Sequence, residues 1–264
     1  MTEALVAATR AAVDDLARDW RARYGDVVLD VAVSEAAPGR VRVDGFVLVP
    51  SQRAALERAL RARLAARGAA PDALQLAVDA LTARPESAGW ARPARGLAAV
   101  RSRPAPDAEL ATELAADDPP ARILAERGDW AAVELADRTV GWMASGDLAA
   151  ATPPETVDGW RTAWAGRARP VASGAWRLAA AAWLHVPYRL GGNSRDGVDC
   201  SGLSQRLFRA VLGIGLPKHS SDQARFGERV ARADLAPGDL LHLSHVERGT
   251  SHVAVVIEAR PARA

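Results

Sequence analysis

The sequence has one cysteine, Cys200, and one lysine, Lys218, in 264 residues. A single cysteine excludes an internal disulfide and fits a reducing compartment. Every other fixed positive charge is arginine, which reads as compositional bias. The formal net charge is only +2, so there is no electrostatic footprint for nucleic acid. No apolar run approaches the ~18 residues that a membrane-spanning helix needs. The start does not read as a secretory leader. Glu3, Asp14 and Asp15 interrupt the apolar stretch a leader requires, and Leu5, Thr9, Val13, Leu16 and Trp20 follow helical spacing instead. The expectation is a cytoplasmic protein. No internal repeat is visible, and no low-complexity tract beyond alanine richness.

What is present is ordinary for a soluble globular chain: 49% hydrophobic and 25% charged residues. The length allows two or three small domains with a sizeable core. Residues 1 to about 20 predict an amphipathic helix. Val27, Leu29, Val31 and Val33 alternate, as do Val41, Val43, Val47 and Val49, and Ala37-Pro38-Gly39 between them is turn chemistry. Ser51 is positioned to cap a helix with the stripe Leu56, Leu60, Leu64 and a stop at Gly68. Leu74, Leu76 and Val78 suggest a third strand. Residues 1–84 therefore read as a small α+β unit. The order resembles a BON domain, a bacterial module associated with surface or ligand attachment; a generic α+β accessory domain fits equally.

Arg84 to Pro93, with Pro85, Gly89 and Pro93, reads as a linker. Residues 95–150 then carry short strands. Three pieces stand out: Arg101-Ser102-Arg103-Pro104, Gly128-Asp129-Trp130-Ala131-Ala132-Val133 and Gly141-Trp142-Met143 running to Leu148. They suggest a small barrel and resemble bacterial SH3-like domains, with Met143 at a usual valine position. Trp130 and Trp142 are expected in the barrel core, with ligand contact as the alternative. In such families the barrel helps to position a cell-wall peptide. Residues 151–172, with Pro153, Pro154, Gly159, Gly166 and Pro170 around Trp160 and Trp164, read as a connector packed on its neighbours. A helix is expected from Ser173 to His185, with Trp176, Ala180, Trp183 and Leu184 on one side and Pro187 after it.

The chemistry centres on Gly197-Val198-Asp199-Cys200-Ser201-Gly202-Leu203. Leu203, Leu207 and Val211 sit at i, i+4 and i+8, so a helix follows, with Cys200 in its first turn and on its inward face. The unpaired N–H groups and positive dipole end there favour an anion. A thiol so placed loses its proton more readily and is a better nucleophile. An isolated cysteine is otherwise most often a small buried hydrophobe. A thiol also needs a base. His252 begins Val253 to Ile257, which reads as a buried strand, and a base on a strand facing a helix N-terminus is a papain-type arrangement. For an isolated histidine, a satisfied core or edge role is the ordinary alternative. His185, His219, His242 and His245 lack comparable motif support, although His219 is in reach of a cleft-lining role. His242, His245, His252 and Cys200 are residue types that bind zinc. His242 and His245 sit three apart on a strand and project to opposite faces, so no metal is expected, and no cofactor.

Five ordered pieces extend the motif. They are Pro187-Tyr188-Arg189-Leu190-Gly191-Gly192, Asp199-Cys200-Ser201-Gly202, Leu216 to Gln223, Ala236-Pro237-Gly238-Asp239-Leu240-Leu241 and Ser251-His252-Val253-Ala254-Val255-Val256-Ile257. Residues 173–264 read as one domain, and roughly residues 175–258 of it resemble the NlpC-type cell-wall cysteine peptidases, which have a papain-like α+β fold. The resemblance implies Cys200 as nucleophile, His252 as general acid/base and Tyr188 near the nucleophile, able to orient developing charge. Leu190 replaces the usual tryptophan. It also implies that Asp199, Ser201, Ser220 and Ser221 bind substrate. Asp199 and Ser201 are expected on the free ammonium of an N-terminal L-Ala; equally, Asp199 is a helix cap. One departure is clear: the family places a third polar residue after the histidine, and Glu258 to Ala264 contains no His, Asn or Gln, while Pro261 interrupts a strand. His242 is a candidate third catalytic group, and a Cys–His dyad is the other route. The implied substrate is a murein peptide, cut between D-Glu and the diamino acid of L-Ala-γ-D-Glu-diamino acid. A catalytically degenerate module that binds cell-wall fragments is the rival. No nucleic-acid partner and no membrane span are expected.

Overall fold

The structure is a computed structural model that describes residues 2–24, 28–81, 89–172, 174–244 and 251–258. The chain divides into two compact units, Met1–Ser87 and Ala88–Ala264.

The first unit runs α1 (Thr2–Tyr24), β1 (Leu29–Ala37), β2 (Arg40–Val47), α2 (Pro50–Ala65) and β3 (Leu74–Ala80), the order that the sequence predicts. Strand β2 is central, antiparallel to β1 and parallel to β3. Its alternate residues Val41, Val43 and Val47 are fully buried under Leu56, Leu60 and Leu64 of α2 and Leu5, Ala12 and Trp20 of α1. Burying each such leucine stabilises by roughly 1.5–3 kcal/mol, which is what selects this register. The expected cap does not form at Ser51. The cap is Val49, two residues earlier, and helix α2 starts at Pro50, whose fixed φ suits a first helical position. Gln52 Oε1 accepts from the backbone N–H of Leu48 and Val49 at 2.9 and 3.0 Å.

The second unit opens with seven strands: β4 (Trp90–Pro93), β5 (Leu97–Arg101), β6 (Leu110–Ala115), β7 (Ala121–Arg127), β8 (Trp130–Glu134), β9 (Val140–Ala144) and β10 (Leu148–Ala150). They form one sheet in the order β10-β4-β7-β8-β9-β5-β6. The expected linker up to Pro93 is corrected here: residues 90–93 pair with both β7 and β10. Inward residues Val100, Leu114, Ala131, Val133, Leu135 and Met143 fill the interior. Trp142 is buried and Trp130 half-buried. The connector holds a helix, α3 (Val157–Ala165), capped by Thr156. Its Trp160 meets Trp90 edge to face, centroids 4.9 Å apart, which seats the connector on the barrel.

The C-terminal layer contains α4 (Ala175–Ala181), the short strands β11 (Asn193–Ser194) and β12 (Gly197–Val198), α5 (Cys200–Val211), α6 (Ser220–Gln223), β13 (Leu240–Ser244) and β14 (Ser251–Val255). Trp176, Leu207, Phe208 and Leu216 form its core, joined by Leu240 and Val255. Helix α4 is shorter than the sequence predicts. It gives way to turns before His185, which has φ 67°, and Leu184 is left 67% exposed instead of packed. No helix of the described residues is long and apolar enough to cross a membrane.

Candidate active site

Cys200 is the first residue of α5 and is half-buried. Asp199 caps the helix: its Oδ1 accepts from the Gly202 N–H at 2.6 Å and from the Ser201 hydroxyl at 3.0 Å. Its Oδ2 accepts from the Gly191 N–H at 2.9 Å, so the cap also anchors the preceding loop. The motif glycine at 202 has a steric reason. A Cβ there would come within 2.5 Å of the Gly192 carbonyl oxygen and 3.0 Å of Asp199 Oδ1.

Both Asp199 oxygens are also held by Lys218, at 2.7 and 2.8 Å from Nζ, and Lys218 is only 4% exposed. This corrects two expectations. The single lysine is a specific partner, not a trace of composition. The Asp199 carboxylate that was to meet a substrate ammonium already holds an ammonium of the protein. Ser201 is likewise buried and donates to Asp199. Gln223 braces the same turn, accepting from Ser204 Oγ at 2.6 Å and donating to the carbonyls of Ser201 and Pro217 at 3.1 and 2.8 Å. Ser220 opens α6, and Ser221 and His219 are exposed.

The turn Pro187 to Gly192 is stitched onto the cysteine loop by Val198 N–H to the Pro187 carbonyl and Arg189 N–H to the Val198 carbonyl, 3.0 and 3.2 Å. That brings Tyr188 to Cys200. Partial burial of its hydroxyl, then the charges of Cys200 and Asp199 and a hydrogen bond with Cys200, raise the phenol pKa above its usual 10.0. The hydroxyl therefore stays protonated at neutral pH and is a donor beside the sulfur.

The barrel holds this loop and helix. Buried Glu113 of β6 accepts from the Asn193 N–H at 2.8 Å and pairs with the Arg189 guanidinium. Arg206 of α5 grips Asp118 with two N–H···O bonds of 3.1 Å, while its Nε donates to Asn193. Gln205 donates to Asp137 at 3.0 Å. Gly191, at φ +76°, passes so close to β6 that a Cβ would lie 1.9 Å from the Leu110 carbonyl oxygen. Sequence reasoning missed Glu113, Asp118, Lys218 and Gln223, because their roles arise only when distant segments meet. The lysine's uniqueness was the one available signal.

His252 lies on β14, which packs against α5 and α6. In the β13–β14 register, His252 opposes Leu243 and His242 opposes Val253. Directly opposed side chains share a face. His252 thus stands on the exposed face with Leu243. His242 stands with Val253, which is buried, and Val255, which joins the Trp176 and Leu207 core. The expectation that His242 supplies a third catalytic group is corrected by this alternation: a period of two sends it away from His252. His242 Nδ1 is buried without a partner among the described residues, and burial lowers the His242 pKa below its usual 6.5. His245 and residues 259–264 lie outside the described residues.

Residues 185–261 match the NlpC/P60 family, and residues 100–148 match the bacterial dipeptidyl-peptidase SH3 domain. The chain therefore carries an NlpC/P60 domain behind an SH3 domain of that type. The murein DD-endopeptidase MepS/murein LD-carboxypeptidase of Escherichia coli (strain K12) is 42% identical over 75 residues, which are 28% of this chain and 39% of that protein. The gamma-D-glutamyl-L-lysine dipeptidyl-peptidase of Bacillus subtilis (strain 168) is 40% identical over 71 residues, 26% of this chain and 24% of that protein. The matched stretch thus spans less than half of either relative. An NlpC/P60 family protein from Bacillus cereus ATCC 10987 has a crystal structure that covers 93% of this chain and 75% of its own, at 17% identity and a TM-score of 0.33.

Proposed function

We propose that the protein is a cysteine peptidase that hydrolyses peptidoglycan-derived peptides, at the bond between D-Glu and the diamino acid in L-Ala-γ-D-Glu-diamino acid. The observation that carries this reading is a half-buried thiol at the first position of α5, inside a domain of the NlpC/P60 type. Cys200 attacks the carbonyl carbon of the γ-glutamyl bond. The N-terminus of α5, whose first backbone N–H groups have no intrahelical partner, favours the thiolate and the developing oxyanion. Tyr188 donates a second hydrogen bond near the sulfur. His252 takes the thiol proton and returns it to the leaving amine, leaving an acyl-enzyme that water then hydrolyses. The named bond is supported by the dipeptidyl-peptidase relative and by the SH3 match, since that relative's name carries a γ-D-glutamyl specificity.

The test is incubation with a defined L-Ala-γ-D-Glu-diamino acid tripeptide and mass spectrometry of the products. Release of L-Ala-D-Glu and the free diamino acid is expected, and Cys200→Ala should abolish it with little change in thermal midpoint. Cys200 should alkylate with iodoacetamide in the folded protein. No product from any murein tripeptide, together with a thiol that alkylates only after denaturation, would leave the binding-module reading instead.

A further inference from the structure

We propose that Lys218 is a positioning residue for Cys200: it balances the carboxylate that caps the nucleophile's helix and so sets how readily the thiol ionises. The proposal rests on the reading of Cys200 as a nucleophile. Asp199 immediately precedes Cys200, is buried, and organises the site through the N–H groups of Gly191 and Gly202 and the Ser201 hydroxyl. A buried carboxylate beside a thiol has a cost for catalysis, because like charge opposes thiolate formation. The other donors to Asp199 are neutral. Among the described residues Lys218 alone brings a full positive charge to it, contacting both oxygens, and its Nζ also comes within 3.4 Å of Ser201 Oγ, on the far side of Cys200 in sequence.

The arrangement has the form of a capping carboxylate whose hydrogen bonds are kept and whose field is cancelled. A compact ammonium suits the task, since one point charge can sit between both oxygens. Tyr188 of the preceding turn reaches Cys200 with its hydroxyl. On the elements that pack against α5, His252 lies on β14, and His219 and Asp222 lie at α6. Arg206 faces Asp118 instead. Within the immediate cap, the balance of charge is between Asp199 and Lys218.

A purely structural pair and a charge-balancing pair differ in the sign of what each half does. Alkylation of Cys200 by iodoacetamide, followed by mass spectrometry across pH, reads the thiol directly and needs no peptide substrate. Lys218→Met leaves Asp199 uncompensated and should move the alkylation midpoint up by about one pH unit, roughly tenfold less thiolate at pH 7. Asp199→Asn keeps a capping side chain but leaves the ammonium, and should move the midpoint down. The double variant Asp199→Asn/Lys218→Met removes both charges and should return close to wild type, and Lys218→Arg should also stay near it. Should Lys218→Met fail to fold, Asp199→Asn and the double variant carry the test, because the double leaves no unpaired buried charge. Equal midpoints in all variants, or single substitutions that shift the same way, overturn the role of Lys218 while leaving the nucleophile reading intact. A wild-type thiol inert in the folded protein sinks both.

Discussion

Arg206 lies six residues beyond Cys200 on the same helix and holds Asp118 of the barrel through two parallel N–H···O bonds of 3.1 Å. Both side chains are largely shielded from solvent, at 16% and 12% exposure, so the pair is worth more than a surface ion pair. Removing one partner strands the other. Asp118→Ala should cost roughly 2–4 kcal/mol in denaturant unfolding, because a shielded guanidinium loses its bidentate acceptor. Arg206→Ala should cost a similar amount, and the double variant should cost clearly less than the two together. Additive losses in that cycle would show that the two side chains act independently.

The cysteine, its helix and its capping aspartate were legible in the sequence because they lie within a few residues of each other. Spacing alone places Cys200 at a helix start, and Asp199 is a residue type that caps. The order of elements along the first unit was legible for the same reason: Val41, Val43 and Val47 alternate, and Leu56, Leu60 and Leu64 repeat every four residues. The occupant of Asp199 was not. Lys218 lies nineteen residues away, and nothing in its local pattern reveals that it is buried. His242 was misplaced because alternation gives the two faces of a strand but not its partner's register. Only the pairing of His242 with Val253 shows that it and His252 part company. Arg84 to Pro93 reads as a linker because it contains Pro85, Gly89 and Pro93, yet the pairing of Trp90 to Pro93 with β7 and β10 overrides that local signal.

Gly191→Ala tests the contact between the cysteine loop and the barrel. The residue has φ +76°, which disfavours any Cβ, and an added methyl would lie 1.9 Å from the Leu110 carbonyl oxygen. Backbone must move, and the N–H that Gly191 donates to Asp199 moves with it. The expected result is a lowered thermal midpoint and at least a tenfold lower kcat on the murein tripeptide, while alkylated samples still show an intact first unit by limited proteolysis. Wild-type stability in this variant would contradict the close approach.

His242 should make the protein sensitive to mild acid. Burial lowers its folded pKa below the unfolded value of about 6.5, so the unfolded chain binds the proton more readily. This contribution to stability is fully present above pH 6.5 and is lost as the pH falls below it toward the folded pKa. The unpartnered Nδ1 adds a cost that an apolar side chain lacks. His242→Leu should therefore raise the thermal midpoint and flatten its decline between about pH 7 and 5. A variant with the same acid slope as wild type would assign that slope to other groups.

Tyr188 and the two histidines separate the routes to a working thiol. The Tyr188 phenol stays protonated well past neutral pH, so Tyr188→Phe removes a donor beside Cys200 without removing a charge. Loss of a single such donor typically costs about 10²–10³ in kcat when it stabilises developing charge, and that is the expected range, with the ring's packing preserved. His252→Ala should abolish turnover, since no other base on the exposed face of the β13–β14 hairpin accompanies it among the described residues. His242→Ala should leave kcat within a few-fold of wild type and its acidic limb unmoved, because the imidazole stands on the opposite face with Val253. That pattern identifies a pair of Cys200 and His252 working without His242. A strong loss of kcat in His242→Ala, with a shifted acidic limb, would mean that this hairpin takes another register during turnover.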